Sequence, residues 1–388
     1  MTAVPAPDVY APPEGPPPRA VYLHVPFCQH RCGYCDFTLV AQQDELIPKW
    51  LSALANELGR MDRVYQVDTI FIGGGTPTHL TVPQLREFFY LVRSRFQLAD
   101  QGEFSIEANP DGLTDEKLAL LAGEGVNRIS LGVQAFDNDV LATLERTHQS
   151  QQAQEVISRC VEYLDDVSLD LIFGVPGQTM QQWQATLQTA VQLPVSHIST
   201  YGLTFEKGTA FEQRRRQGNI VPVVDELERE MYALSQQLIP ESGRAHYETS
   251  NFARPGHECR HNMVYWDSAE YFGFGPGAAR YVNGVRSTNA RNVRRWITDW
   301  LEHRVSLQDH EKLDREARAR EAIYLALRLI RGLDVSAFES RFAMSLKDLV
   351  GDAVHRHVAT GMLELENGWL RLTQEGRFVA DSVMVDLV

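Results

Sequence analysis

The chain has 388 residues, 44% of them hydrophobic and 23% charged, with a formal net charge of −14. That length fits two domains or one barrel with an appendage, and the acidic balance excludes a nucleic-acid partner, which would need concentrated positive charge. No apolar run reaches the length of a membrane span, the first twenty residues lack a hydrophobic signal core, and three of the five cysteines share one short stretch, so the expected compartment is the reducing cytoplasm.

Residues 1–19 hold seven prolines and almost no aliphatic cluster, the composition of a disordered leader. From residue 20, strand-length apolar runs alternate with segments of helical period. The expected strands are 21–27, 68–72, 103–107, 128–133, 167–173 and 197–203; the expected helices between and after them are 47–61, 82–95, 116–122, 153–164, 180–191 and 225–238. Six such units in series imply parallel strands with right-handed crossovers, hence a partial (β/α)6 barrel over 20–255. In such barrels chemistry sits at the carboxyl ends of the strands. The expected second domain, 256–388, begins polar and Gly-rich, then carries helices near 294–302 and 315–329. A helix over 346–359 and two short strands around Asn367-Gly368 close it, a mixed α+β module of winged-helix type. Its apparent recognition helix lacks a basic stripe, and the short basic clusters 214–216 and 291–295 are expected on solvated helix faces, so packing is the expected role rather than DNA binding.

Cys28, Cys32 and Cys35 follow the first strand in a Cys-x3-Cys-x2-Cys array. A zinc site normally takes four ligands in paired knuckles, and a disulfide does not suit this compartment. Three thiolates in one loop hold three corners of a 4Fe–4S cubane and leave the fourth iron open to a small chelator. Gly73-Gly74-Gly75-Thr76-Pro77 follows the second strand. It lacks the lysine of a phosphate loop; it is either a tight turn or a place where bare backbone meets a ligand.

The array and the glycine turn together resemble the radical S-adenosylmethionine superfamily. The resemblance implies cluster ligation by Cys28, Cys32 and Cys35, an aromatic beside the cofactor at Tyr34, and S-adenosylmethionine contacts at Gly74, Gly75, Thr76 and Glu107. Tyr22-Leu-His-Val-Pro-Phe-Cys28, Gly132-Val-Gln-Ala-Phe136, Arg146-Thr-His148, the run from Asp170 to Thr179, Tyr247-Glu-Thr-Ser-Asn-Phe-Ala253 and His261-Asn-Met-Val-Tyr-Trp266 narrow it further. From residue 20 to the end, the chain is similar to the branch containing oxygen-independent coproporphyrinogen oxidase and a heme chaperone. That similarity places Tyr22, Gln134, Arg146 and Asp170 around the cofactor, with Glu145 standing where the family has glycine. The oxidase has a fourth cysteine two residues past the third; here that position is Phe37, and Cys35-Asp36-Phe37 with the His261 motif points to the chaperone side.

Heme iron takes His, Cys, Met or Tyr ligands, and His257, Cys259, His261, Met263 and Tyr265 crowd one segment. His261, Tyr265 and Trp266 are the heme candidates; a hydrogen-bonded structural corner is the alternative account of them. His24 reads as a satisfied interior histidine and Cys160 as a buried hydrophobe. Two functions are carried forward. One is a heme chaperone with a cluster, S-adenosylmethionine, heme, an unidentified acceptor protein and a flavodoxin-type electron donor. The other is a radical enzyme acting on a porphyrin or porphyrinogen, as oxidase or methyltransferase.

Overall fold

The computed structural model describes residues 9–388. The described residues divide into two compact units: those up to Leu131 with Glu162–Asp165 and Glu270–Lys312, and those in Gly132–Val161, Asp166–Ala269 and Leu313–Val388.

In the first unit the strands Ala20–Val25, Tyr65–Gly74, Phe96–Ala108 and the start of Arg128–Gln134 pair in parallel, in that order. Ala20–Val25 is an inner strand with five of its six residues buried, which is why it reads as an apolar run rather than an alternation. The helices Ile47–Leu58, Val82–Arg93 and Asp115–Gly123 connect them. Their starts are written locally: Thr81 and Gln84 form a capping box, and the Thr114 hydroxyl accepts from the Lys117 amide. The third strand begins seven residues before the expected 103, because its first half is largely exposed and polar.

Two expectations are corrected in this unit. The leader was expected to be disordered over 1–19. Residues 1–8 lie outside the described residues, but from Val9 the chain is held. Tyr10, 4% exposed, donates to Glu57 Oε1 at 2.6 Å and meets Trp300 edge-on at 5.5 Å. Asn283 grips the same segment through the Glu14 amide (2.7 Å) and the Pro12 carbonyl (3.1 Å). The domain cut expected at 255/256 also differs from the division the contacts make. Phe272–Phe274 pairs in parallel with Ala20–Val25, so 270–312 returns to the first unit. Gly275, at φ +95°, lets the chain turn there: a Cβ on it would lie 2.5 Å from the His24 carbonyl oxygen.

In the second unit Asp166–Phe173 and His197–Gly202 are parallel, and Asn251–Ala253 and Ala245–Glu248 extend the edge antiparallel. The helices Met180–Gln192 and Asp225–Glu241 are pinned together by the Trp183 indole donating to the Met231 carbonyl at 2.8 Å. The C-terminal part runs helix Arg315–Ala326, strand Leu333–Asp334, helices Val335–Phe342 and Leu346–Ala359, then strands Leu363–Glu366 and Trp369–Leu372. This is the element order of a winged helix, around its own core of Ile323, Phe338, Val350, Leu370 and Met384. Asn367 and Gly368, at φ +52° and +81°, make the expected hairpin turn. No helix among the described residues is long and apolar enough to cross a membrane.

Candidate functional site

The cysteine loop leaves the end of the inner strand. Phe27–Cys28 pairs with Val40–Ala41, so the loop is shut at its base. Arg31 ties it across: its guanidinium donates to the carbonyls of Cys35 (3.3 Å), Phe37 (3.1 Å) and Leu39 (2.9 Å). Arg291 adds bonds to Thr38 Oγ1 and the Asp36 carbonyl, so it serves the loop rather than a helix face as expected. All three thiols are free of disulfides, Cys28 buried and Cys32 and Cys35 half-buried. Burial pushes the Cys35 thiol up, while the Phe37 amide and Arg31 pull it back. Among the described residues no three His, Cys, Asp or Glu side chains converge on a single ion. A cubane asks for something else, three thiolates spread over three separate irons.

The glycine turn abuts this loop. Gly74, at φ +115°, would put a Cβ 2.5 Å from the His24 ring. Its amide donates to Glu107 Oε2 at 2.9 Å, which fixes the carboxylate at the end of the third strand. Thr76 Oγ1 lies 3.0 Å from Cys28 Sγ and 2.9 Å from Asn109 Nδ2. His24 has Nε2 2.6 Å from the Thr38 carbonyl and Nδ1 3.0 Å from the Tyr22 hydroxyl. A carbonyl only accepts, so Nε2 carries the proton and Nδ1 accepts from Tyr22. Burial moves His24 to about 4, so the ring is neutral, as expected of a satisfied interior histidine. Burial first, then the Glu107 charge, raises the Tyr22 phenol. Phe37, where the oxidase has its fourth cysteine, is 55% exposed.

Gln134, Arg146 and Asp170 belong to the second unit. Arg146 donates to the Gly132 carbonyl at 2.7 Å and the His148 ring lies 3.0 Å from the Val133 carbonyl, so this motif folds back on the strand end that presents Gln134. Gln134 itself sits at φ +70°, a sparsely populated conformation for a residue with a side chain. Glu145 adopts φ +56°, which explains why glycine suits that position; here an ion pair to Arg214 at 2.5 Å accompanies the side chain. Asp170 lies in the middle of the strand Asp166–Phe173, level with Ser199.

The heme candidates lie on the short helix Arg260–Trp266. His261 is 1% exposed, its Nε2 is 2.9 Å from the Tyr265 hydroxyl, and burial drives it down to about 3. Trp266 packs under Arg328 at 4.8 Å. Nearby, the Tyr247 hydroxyl accepts from the Cys259 amide and meets His197 Nε2 at 2.9 Å. The bonding is that of a hydrogen-bonded corner.

Sequence reasoning missed Arg31 and gave no role of their own to Asn109 or to His148, which it quoted only within the Arg146-Thr-His148 motif. Asn109 carried a signal, a polar residue before proline at the mouth of a strand whose neighbours hold the cysteines. The arginine carried none.

Residues 22–190 match the Radical SAM superfamily and 313–379 the HemN C-terminal domain. The chain is 35% identical over 370 residues to the heme chaperone HemW of Bacillus subtilis (strain 168), covering 94% of this chain and 98% of that one. It is 36% identical over 379 residues to the heme chaperone HemW of Mycobacterium tuberculosis (strain ATCC 25618 / H37Rv), covering 96% and 95%. The solved structure of the coproporphyrinogen III oxidase HemN from Escherichia coli matches with a TM-score of 0.84 at 21% identity, over 95% of this chain and 90% of that one. That likeness establishes the fold as the expected α/β class, a partial (β/α)6 radical-SAM barrel with a mixed α+β C-terminal region.

Proposed function

The chain belongs to the family of the heme chaperone HemW, within the radical S-adenosylmethionine superfamily, and on that footing we propose that it binds heme and passes it to acceptor proteins. One observation carries the reading: similarity to the curated heme chaperones runs through nearly the whole of both chains.

On this reading Cys28, Cys32 and Cys35 hold a 4Fe–4S cluster. Three thiols free of disulfides on a loop pinned at its base and across its middle fit that group. When bound, the cluster supplies an open iron that chelates S-adenosylmethionine and a centre that accepts one electron. In the first unit Gly74, Gly75, Thr76, Glu107, Tyr22 and Tyr34 are assigned to that cofactor; in the second, Gln134, Arg146 and Asp170. Cys35 must release its proton on ligation, against the burial that raises it. The donor is a flavodoxin-type protein, the heme acceptor a protein, and the compartment the cytoplasm.

Titrating the reconstituted protein with heme and S-adenosylmethionine, while following the Soret band and 5′-deoxyadenosine, tests the function. Saturable binding of about one heme per chain is expected. No saturable Soret change would end the chaperone reading, and porphyrinogen-dependent 5′-deoxyadenosine with an altered product would favour the enzyme.

The ligand is tested separately. His261 is neutral, the form that coordinates iron, but its Nε2 reaches a metal only once the bond to Tyr265 opens. Opening a buried hydrogen bond costs about 1 kcal/mol, so Tyr265→Phe is expected to tighten heme binding roughly five- to tenfold if His261 ligates. Unchanged affinity by Soret titration would remove His261 from the ligand set.

A further inference from the structure

Thr76 stands between two groups whose chemistry fixes which way its hydroxyl points. Asn109 Nδ2, 2.9 Å from Thr76 Oγ1, has only hydrogens to offer, so the oxygen accepts there. That leaves the hydroxyl hydrogen for a second partner, and Cys28 Sγ lies 3.0 Å away. A sulfur that ligates iron is a thiolate and has no hydrogen to give, so the bond runs O–H to S. Thr76 and Cys28 are only 6% and 7% exposed, which keeps water from competing for it.

The three residues are held by backbone as well. The Thr76 amide donates to the Phe27 carbonyl at 2.8 Å, fixing the threonine beside the residue that precedes Cys28. Asn109 follows directly on the third strand, Phe96–Ala108, and precedes a proline. The carboxyl ends of the first, second and third strands therefore supply one member each.

We propose that Asn109 and Thr76 form a relay that sets the reduction potential of the cluster, by donating the Thr76 hydroxyl to the sulfur of Cys28. This gives Thr76 a duty different from the cofactor contact its motif implied, and it rests on the reading that Cys28 ligates a cluster. A hydrogen bond to a ligating sulfur stabilises added negative charge and so favours the reduced state. The balance is simple. One electron enters from a one-electron reductant, no bond forms or breaks, and the hydrogen stays on the threonine oxygen.

The test is a redox titration of the anaerobically reconstituted full chain, with dithionite as reductant and no S-adenosylmethionine present. It is followed by the paramagnetic resonance of the reduced cluster, after iron and sulfide have been assayed. Thr76→Val, which keeps the shape and drops the hydroxyl, is expected to lower the reduced-to-oxidised ratio at fixed potential about tenfold, roughly 59 mV for a one-electron couple. Thr76→Ser restores it to within about twofold, since serine keeps the donor. Asn109→Leu lowers the ratio in the same direction but adds little on top of Thr76→Val, because both remove one relay. Equal ratios in Thr76→Val and the parent, or serine behaving as valine, overturn the relay while the cluster assignment stands. A parent chain with no iron and sulfide overturns the cluster assignment itself, and the relay with it.

Discussion

Serine in place of Cys28 is expected to strip the chain of iron and sulfide while leaving its affinity for heme within about twofold of the parent. The first half follows from counting ligands. The loop offers three thiolates and no fourth, so loss of one leaves two corners of the cubane without protein, and a serine oxygen is a poor substitute for sulfur. The fold is expected to survive. Cys28 is buried in a strand pair whose bonds are backbone to backbone, and serine is smaller and keeps a polar contact to Thr76. The second half follows from where the candidates lie: the cysteine loop is in the first compact unit and the His261 to Trp266 helix is in the second. Iron and sulfide assays with a Soret titration decide the matter, and circular dichroism guards against trivial unfolding. A tenfold loss of heme affinity in well-folded Cys28→Ser would mean that heme depends on the cluster, and the expected independence of the two would have to be abandoned.

What could be read in the sequence was whatever is written over a few adjacent residues. The strands Arg128–Gln134, Asp166–Phe173 and His197–Gly202 fall within one residue of expectation, because each is a short stretch with β-branched or aromatic residues bounded by polar or glycine-containing turns. Helix Leu346–Ala359 coincides with its expected range, and the Asn367-Gly368 turn is set by two residues that tolerate positive φ. The cysteine array was legible for the same reason: Cys28, Cys32 and Cys35 lie within eight residues.

What depends on distant pairing was not legible. Nothing local to Tyr10 indicates that its hydroxyl meets Glu57, so a proline-rich composition read as disorder. Phe272–Phe274 is too short to show a period, yet it sets the edge of the first sheet and returns 270–312 to that unit. The relay through Thr76 joins residues 48 and 33 positions apart, visible only once the strand ends are brought together.

Between pH 5 and 7.5 the stability of the parent relative to Glu57→Gln is expected to fall as pH rises, by about 2 kcal/mol over that range. Glu57 is fully buried on helix Ile47–Leu58 and accepts from Tyr10 (2.6 Å), from Asn289 Nδ2 (2.5 Å) and from the Gly275 amide (2.8 Å), with Arg280 also near. These donors and the arginine favour the carboxylate, but burial outweighs them and lifts the group from 4.5 to about 7. A raised carboxyl means that the folded state keeps its proton over a range where the unfolded chain has released it. Folding therefore takes up a proton, and stability declines as pH climbs through that range, levelling off above about 7. His24, His246 and His261, moved down to about 4, 4 and 3, act in the opposite sense and cost stability as pH falls. The total profile mixes the two, and Glu248, also near 7, adds its own slope. Subtracting the Glu57→Gln curve cancels all of these and isolates one group. Glutamine keeps the side-chain length and an acceptor oxygen and cannot ionise in this range, so urea denaturation of both proteins at several pH values gives the difference directly. A difference that stays flat between pH 5 and 7.5 would mean the three donors hold Glu57 charged throughout, and burial would not be the dominant influence on it.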